Sequence, residues 1–294
     1  MNKRPTQDIN TYFLGMDENN SYLCNRNRYL FYLRSQSMRT KEIKITRFWL
    51  TVALAVCSMT AQAQDPTPSE LYFNKKELPD GLVFLPAPPD SSSMQYLYDI
   101  SQYVWGKSRR QDSLRAQQAI RDVVVDIAEM AREFSPAFGM EISKDKTPAI
   151  FKVLNLGVVT MRLSASNLKT AYNRRRPYVV FSEPTLIPAE EDELRNTGSY
   201  PSGHTLRGWA MALLLSEINP DAQNEILKKG YEWGESRVIA GYHWQSDTDA
   251  SRLLASACYA RLHTNEAFLE DMAAARKEFA EKWHQQSNDT EDED

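Results

Sequence analysis

Three short stretches of this 294-residue chain hold residue types that can handle an anion. Residues 198–205 read GSYPSGHT and run straight into LRGWAMALLL. Small residues, Ser202 and His204 therefore stand at the mouth of an apolar helix. Free backbone amides, a hydroxyl and an imidazole at one helix N-terminus can hold an oxyanion and hand it a proton. Residues 169–177 read KTAYNRRRP, which sets Lys169 six residues before the pair Arg176-Pro177. Residues 236–247 read SRVIAGYHWQSD, with Ser236-Arg237, then His243 after five residues and Asp247 after three more. Each stretch has a plain structural reading. Cations at a helix end favour its negative pole, PSGH can be a turn and cap, and a His-Asp pair can sit on a surface.

Together they specify more. Displacement at phosphorus spreads negative charge over three equatorial oxygens, so fixed positive donors stabilise it. Lys169, Arg176 and Arg237 supply three, and arginine adds planar bidentate pairing. Ser202 adds a hydroxyl, and Gly203 an amide that an anion can approach closely. His243 has a carboxylate four residues on. Asp247 can take its Nδ1 proton and leave Nε2 free to attack. His204 has no such partner and suits the acid that protonates a leaving alkoxide, then the base that activates water. No HExxH or CxxC pattern occurs, and the scheme demands neither a metal nor another cofactor.

The three spacings, K-x6-RP, PSGH and SR-x5-H-x3-D, resemble the signature of the phosphatidic acid phosphatase type 2 superfamily. GSYPSGHT with GYHWQSD looks like the narrower bacterial class A non-specific acid phosphatases. The likeness extends from about Tyr96 to the last helix. It implies a covalent phosphohistidine at His243, His204 as acid and base, and a helical fold with the site at one end of the bundle. Helical relatives often pair, so a homodimer stays open beside a monomer.

The elements that must position these residues can be read from periodicity. Ala116, Ile120, Val123, Ile127, Met130 and Phe134 recur at steps of four and three, which predicts one helix over 112–135. Thr147-Pro148 reads as cap and first position of a helix whose face is Phe151, Leu154, Val158, Met161, Ala165 and Leu168. A non-helical stretch is expected over 174–200. Helices are expected to begin near His204, at Asn219-Pro220 and near Asp247, with Thr264 capping a last one faced by Phe268, Met272, Ala275, Phe279 and Trp283. No strand pattern of any length appears. The fold class is all-α, a single-domain helical bundle, and the resemblance makes it one of the phosphatidic acid phosphatase type 2 / haloperoxidase type.

Composition bounds the rest. The net charge of −4 hides a basic N-terminus: the first 63 residues carry nine Lys/Arg and four Asp/Glu, and the remainder carries 26 and 35, a net −9. An acidic body argues against nucleic-acid partners. Arg39, Lys41, Lys44 and Arg47 precede the apolar run FWLTVALAVC and the site Ala61-Gln62-Ala63, the pattern of a signal peptide over 38–63. Cleavage after Ala63 and a periplasmic or secreted product are expected, with no membrane insertion afterwards, because no other stretch reads as a span. Residues 1–37 read as an upstream extension, with translation starting at Met38; the rival reading is an unusually long n-region translated from Met1. Residues 64–90 read as an extended lead-in, 91–285 as the helical acid phosphatase domain and 286–294 as a disordered acidic tail. Cys24 and Cys57 fall in the discarded part, and Cys258 reads as a buried structural thiol. Arg174 is expected to pair with an acidic residue, Arg175 to stay outside the site, and Tyr172, Tyr242 and Trp244 to pack in the core. His263 and His284 carry no motif.

The expected function is hydrolysis of small phosphomonoesters, with inorganic phosphate as product and transfer of phosphate to alcohols open to the same intermediate. Three rival functions fit the same residues: a lipid phosphate or pyrophosphate phosphatase, a vanadium-dependent haloperoxidase sharing the anion site, and a phosphate-binding module without catalysis.

Overall fold

In a computed structural model of the chain, residues 66–291 are described, with side chains to 285. The expected signal peptide and upstream extension, with Cys24 and Cys57, lie outside the described residues. All regular structure among those described is helical. The helices are α1 (Gly81–Phe84), α2 (Met94–Arg109), α3 (Ser113–Arg121), α4 (Ile127–Phe138), α5 (Pro148–Arg162), α6 (Ser166–Tyr172), α7 (Pro177–Phe181), α8 (Glu191–Leu194), α9 (Gly203–Ile218), α10 (Gln223–Ala240), α11 (Gln245–Leu262) and α12 (Glu266–Glu291).

Helix α9 is the centre. It buries residues all round, including Leu206, Met211, Leu214 and Leu215, as a helix enclosed by others must. It packs against α10, α11 and α5, and more lightly against α4 and α12. Small residues let α9 and α10 lie close: a Cβ on Gly208 would fall 2.4 Å from Trp233 Cδ1, and one on Gly230 would fall 2.4 Å from Ala212 Cβ. The face read along α5 is buried from Phe151 to Leu168, although the chain passes through a 3-10 turn at Leu163–Ala165 before α6. Phe268, Met272 and Ala275 of α12 are buried, while Trp283 at its far end is exposed. Cys258 is buried and unpaired.

Several expectations need correction. The single helix over 112–135 is two. Asp122 turns inward, fully buried, and accepts from Lys229 Nζ at 3.0 Å and Ser236 Oγ at 2.6 Å. Three β-branched valines follow, which favour helix weakly, and Asp126 then caps α4 by accepting from Glu129 N at 3.0 Å. The described part of the lead-in is more than extended chain: it holds α1 and buries Tyr72, Phe73, Leu78 and Leu85 in the main core. The stretch 174–200 holds the short helices α7 and α8, each in a Pro- or Glu-initiated turn. Thr147 makes no cap bond; its hydroxyl is engaged by the backbone of Ser143. Asn265, not Thr264, caps α12, accepting from Phe268 N at 3.0 Å. That helix continues to Glu291, into the tail read as disordered, because no Gly or Pro stops a helix already nucleated by packing. One largely helical stretch, Pro148–Phe181, spanning α5 to α7, is long and apolar enough to cross a membrane by length and composition, contrary to the sequence expectation, but most of its most apolar window is buried inside the bundle.

Candidate active site

The three stretches converge. Ser202 caps α9, with Gly203 and His204 in its first turn. Arg237 lies in the last turn of α10. That helix ends at Gly241, whose φ of +90° turns the chain back and brings Tyr242 N and His243 N onto the carbonyl of Arg237, at 3.1 and 3.3 Å. Asp247 sits in the first turn of α11. Its backbone carbonyl accepts from Ser202 N at 3.2 Å, and Ser251 Oγ donates to Ser202 O at 2.8 Å. The mouth of α9 is thus tied directly to the mouth of α11. Lys169 on α6 reaches Gly198 O at 2.9 Å. A Cβ at Gly198 would fall 2.5 Å from Lys169 O, so only glycine lets that strand of chain pass.

Hydrogen-bond partners decide both imidazole tautomers. His243 Nδ1 lies 3.2 Å from Asp247 Oδ2, and its Nε2 lies 3.1 Å from Arg176 Nη1. A guanidinium can only donate, so Nε2 holds the lone pair and Nδ1 the hydrogen. Burial pushes His243 well below the ordinary imidazole range, and Arg176, Lys169 and Arg237 push the same way. The result is a neutral ring whose Nε2 carries no hydrogen. His204 shows the opposite arrangement. Its Nε2 lies 2.8 Å from Val123 O, and a carbonyl can only accept, so Nε2 carries the hydrogen and Nδ1 is left for proton transfer. Burial, then Arg237, push His204 well below its ordinary range, opposed by the Val123 bond.

The cations differ in how they are held. Arg176 is buried and donates to the carbonyls of Leu194 and Tyr242, at 3.1 and 3.2 Å, and to Thr197 Oγ1 at 3.0 Å. Burial, with Arg176 beside it, lowers Lys169 to about 7, opposed by Asp247. Burial lowers Arg237 to about 10. All three Arg237 guanidinium nitrogens are buried with no hydrogen-bond partner, and its Cζ lies 4.6 Å from the Tyr242 ring centroid. Such a group is costly unless an anion meets it. Ser202 Oγ accepts from Thr205 N and Thr205 Oγ1, at 3.3 and 2.9 Å, which leaves its own hydrogen to donate. A Cβ at Gly203 would meet only Arg207 Nη1, at 3.7 Å. Glycine there keeps clear the space an anion would take.

Sequence reasoning missed the support behind Asp247. Arg174 forks between two carboxylates, Nη1 to Asp247 Oδ1 and Nη2 to Asp99 Oδ2, both at 2.6 Å. Asp99 on α2 also accepts from Ser246 N and Ser246 Oγ, at 2.8 and 2.6 Å. Trp244 N adds a bond of 2.9 Å to Asp247 Oδ2. The sequence foretold an acidic partner for Arg174, but nothing marked Asp99, Ser246 or the Val123 carbonyl. Arg175 donates to Val179 O at 3.3 Å, away from the cluster. Tyr242 and Trp244 are buried, as read, and Tyr172 packs edge-on to Tyr200. Among the described residues no three His, Cys, Asp or Glu side chains are grouped to hold a metal.

Residues 151–267 match the PAP2 superfamily. The chain is 42% identical over 214 residues to a non-specific acid phosphatase of Providencia stuartii, covering 72% of this chain and 86% of that protein. It is 39% identical over 212 residues to a non-specific acid phosphatase of Salmonella typhimurium, covering 72% and 84%. It is 32% identical over 246 residues to an acid phosphatase of Zymomonas mobilis, covering 80% and 91%.

Proposed function

The chain belongs to the PAP2 superfamily, among its acid phosphatases, and we propose that it hydrolyses soluble phosphomonoesters through a covalent phosphohistidine at His243. The observation that carries this reading is the neutral His243 ring, Nε2 bare and Nδ1 toward Asp247, beside an arginine whose buried nitrogens no protein group satisfies. The phosphoryl oxygens take Arg237, Lys169, Ser202 Oγ and the Gly203 amide, and draw Arg176 Nη1 off His243 Nε2. Nε2 then attacks phosphorus as the bond to the ester oxygen breaks. His204 Nδ1 takes the proton of the bound phosphomonoester monoanion and passes it to the leaving alkoxide, so the ring ends neutral. In the second half, the same Nδ1 takes a proton from water, whose oxygen displaces Nε2 from phosphorus, and returns that proton to the inorganic phosphate that departs. An alcohol in place of that water gives transfer instead of hydrolysis. Asp247 keeps the Nδ1 hydrogen in place and offsets the charge on the phosphorylated ring.

No metal takes part in this scheme, since three cations carry the charge that bound metals carry elsewhere. Export to the periplasm or beyond belongs to the same proposal and rests on the signal-like pattern of 38–63.

The test is hydrolysis of p-nitrophenyl phosphate in excess EDTA at mildly acidic pH, with His243→Ala alongside. The expected result is metal-free turnover that falls by about six orders of magnitude in the variant, comparable to loss of other catalytic nucleophiles. Turnover retained in a folded His243→Ala protein refutes the covalent step, and activity that needs an added divalent ion refutes the metal-free scheme.

A further inference from the structure

One carboxylate faces the anion site without a role in this chemistry. Glu190 ends the 3-10 turn Pro188–Glu190, just before α8. Its Oε2 is buried with no hydrogen-bond partner and lies 3.7 Å from Arg237 Nη2. Two opposite charges, each short of hydrogen bonds, are thus held near but not against one another. The segment carrying Glu190 is pinned by Leu186 N to Ala240 O at 3.1 Å, Tyr242 Oη to Ile187 O at 2.6 Å, Tyr178 Oη to Glu191 O at 2.8 Å and Thr185 N to Glu191 Oε1 at 2.7 Å. These bonds set the turn over the end of α10 and so fix where the Glu190 side chain starts relative to Arg237.

We propose that Glu190 is a resident counter-ion that competes with the phosphoryl group for Arg237 and so weakens the hold of the site on phosphate. A carboxylate 3.7 Å from Arg237 offsets part of its charge in the free enzyme. When phosphate arrives, that carboxylate becomes a like charge beside a bound anion, and such juxtapositions oppose binding. The Glu190 side chain is 32% exposed, so it can turn toward water, which keeps the penalty moderate. The consequence is functional. Inorganic phosphate is the product, and a site of three unopposed buried cations would release it slowly. Glu190 eases that release at the expense of affinity.

The proposal rests on the reading of Arg237 as a phosphate ligand, and the experiment separates the two. Competitive inhibition by inorganic phosphate is measured at about pH 6, where ordinary carboxylates are ionised, for the wild type, Glu190→Gln and Arg237→Ala. Glu190→Gln should lower the phosphate inhibition constant by about fivefold to twentyfold, equivalent to about 1–2 kcal/mol, without raising kcat. A constant that is unchanged or raised in Glu190→Gln, with inhibition of the wild type intact and weakened in Arg237→Ala, overturns the proposal alone. It would make Glu190 a mere support for Arg237. Inhibition that Arg237→Ala does not weaken overturns both readings. Glu190→Ala is read in the same assay, so a folding defect in one variant leaves the comparison standing.

Discussion

Lys169 offers a quantitative check on how the site gathers charge. It is the one cation of the three whose charge changes within the working range of an acid phosphatase, because burial and Arg176 lower it to about 7. The direction of the effect follows directly. The protonated form attracts the anion, it predominates below its pKa, and it is lost as pH rises through that value. Roughly nine-tenths of the free enzyme carries a charged Lys169 at about pH 6 and roughly one-tenth at about pH 8. Anion affinity should therefore be flat below about pH 6 and fall toward tenfold per pH unit above about pH 7. The histidines do not blur this limb, since both are held well below the ordinary imidazole range and are already neutral there. Sulfate is the right probe, as its charge is constant across this range whereas phosphate titrates. Its competitive inhibition constant would be measured from about pH 5 to about pH 9 in the wild type and in Lys169→Met, which keeps the length and removes the charge. The variant should bind sulfate weakly at every pH, close to the wild-type value at the alkaline end. A Lys169→Met enzyme that keeps the full alkaline limb would refute the reasoning and assign the titration to another group.

Two further outcomes follow from the packing. Asp99→Asn removes one of the two carboxylate charges that balance Arg174, leaving Asp247 as its carboxylate partner beside Ser246 Oγ at 2.8 Å; kcat for p-nitrophenyl phosphate should fall about tenfold to a hundredfold with KM little changed, the scale seen when supporting groups behind reactive ligands are lost. An unaltered kcat would mean that Trp244 N and His243 suffice to orient Asp247. Gly208→Ala drives a methyl to 2.4 Å from Trp233 Cδ1, an overpacking that should cost about 1–3 kcal/mol. Thermal denaturation should show a midpoint lower by several degrees, and an unchanged midpoint would mean that α9 and α10 can separate freely.

Much of the site was legible because chemistry constrains residue type and local order. Lys169, Arg176, Ser202, Gly203, His204, Arg237, His243 and Asp247 fall in three stretches, each within a dozen residues, and all three meet around the mouths of α9 and α11. The helical face from Phe151 to Leu168 was legible for the same local reason, a period that survives even a 3-10 interruption. The same rule misled over 112–135, where apolar spacing continued across a break that the buried Asp122 imposes. Periodicity records which residues face the core. It does not record whether the backbone between them stays helical.

What the sequence determined by itself is therefore which residue types stand at these spacings: two imidazoles, a carboxylate and three cations, a candidate set that suits phosphoryl transfer. What only the tertiary structure decided is how each of them is tuned. Val123 O, which sets the proton on His204, lies 81 residues away in the chain. Asp99, which balances Arg174, lies 75 residues away, and its partner Ser246 lies 147 residues from it. Glu190 reaches Arg237 only because its turn is pinned to the end of α10. Such contacts carry no local pattern, since any carboxylate or carbonyl could serve if the fold brought it near. Tautomer, charge balance and burial are properties of the packed neighbourhood, and they come into being only when distant segments exclude water from the same few side chains.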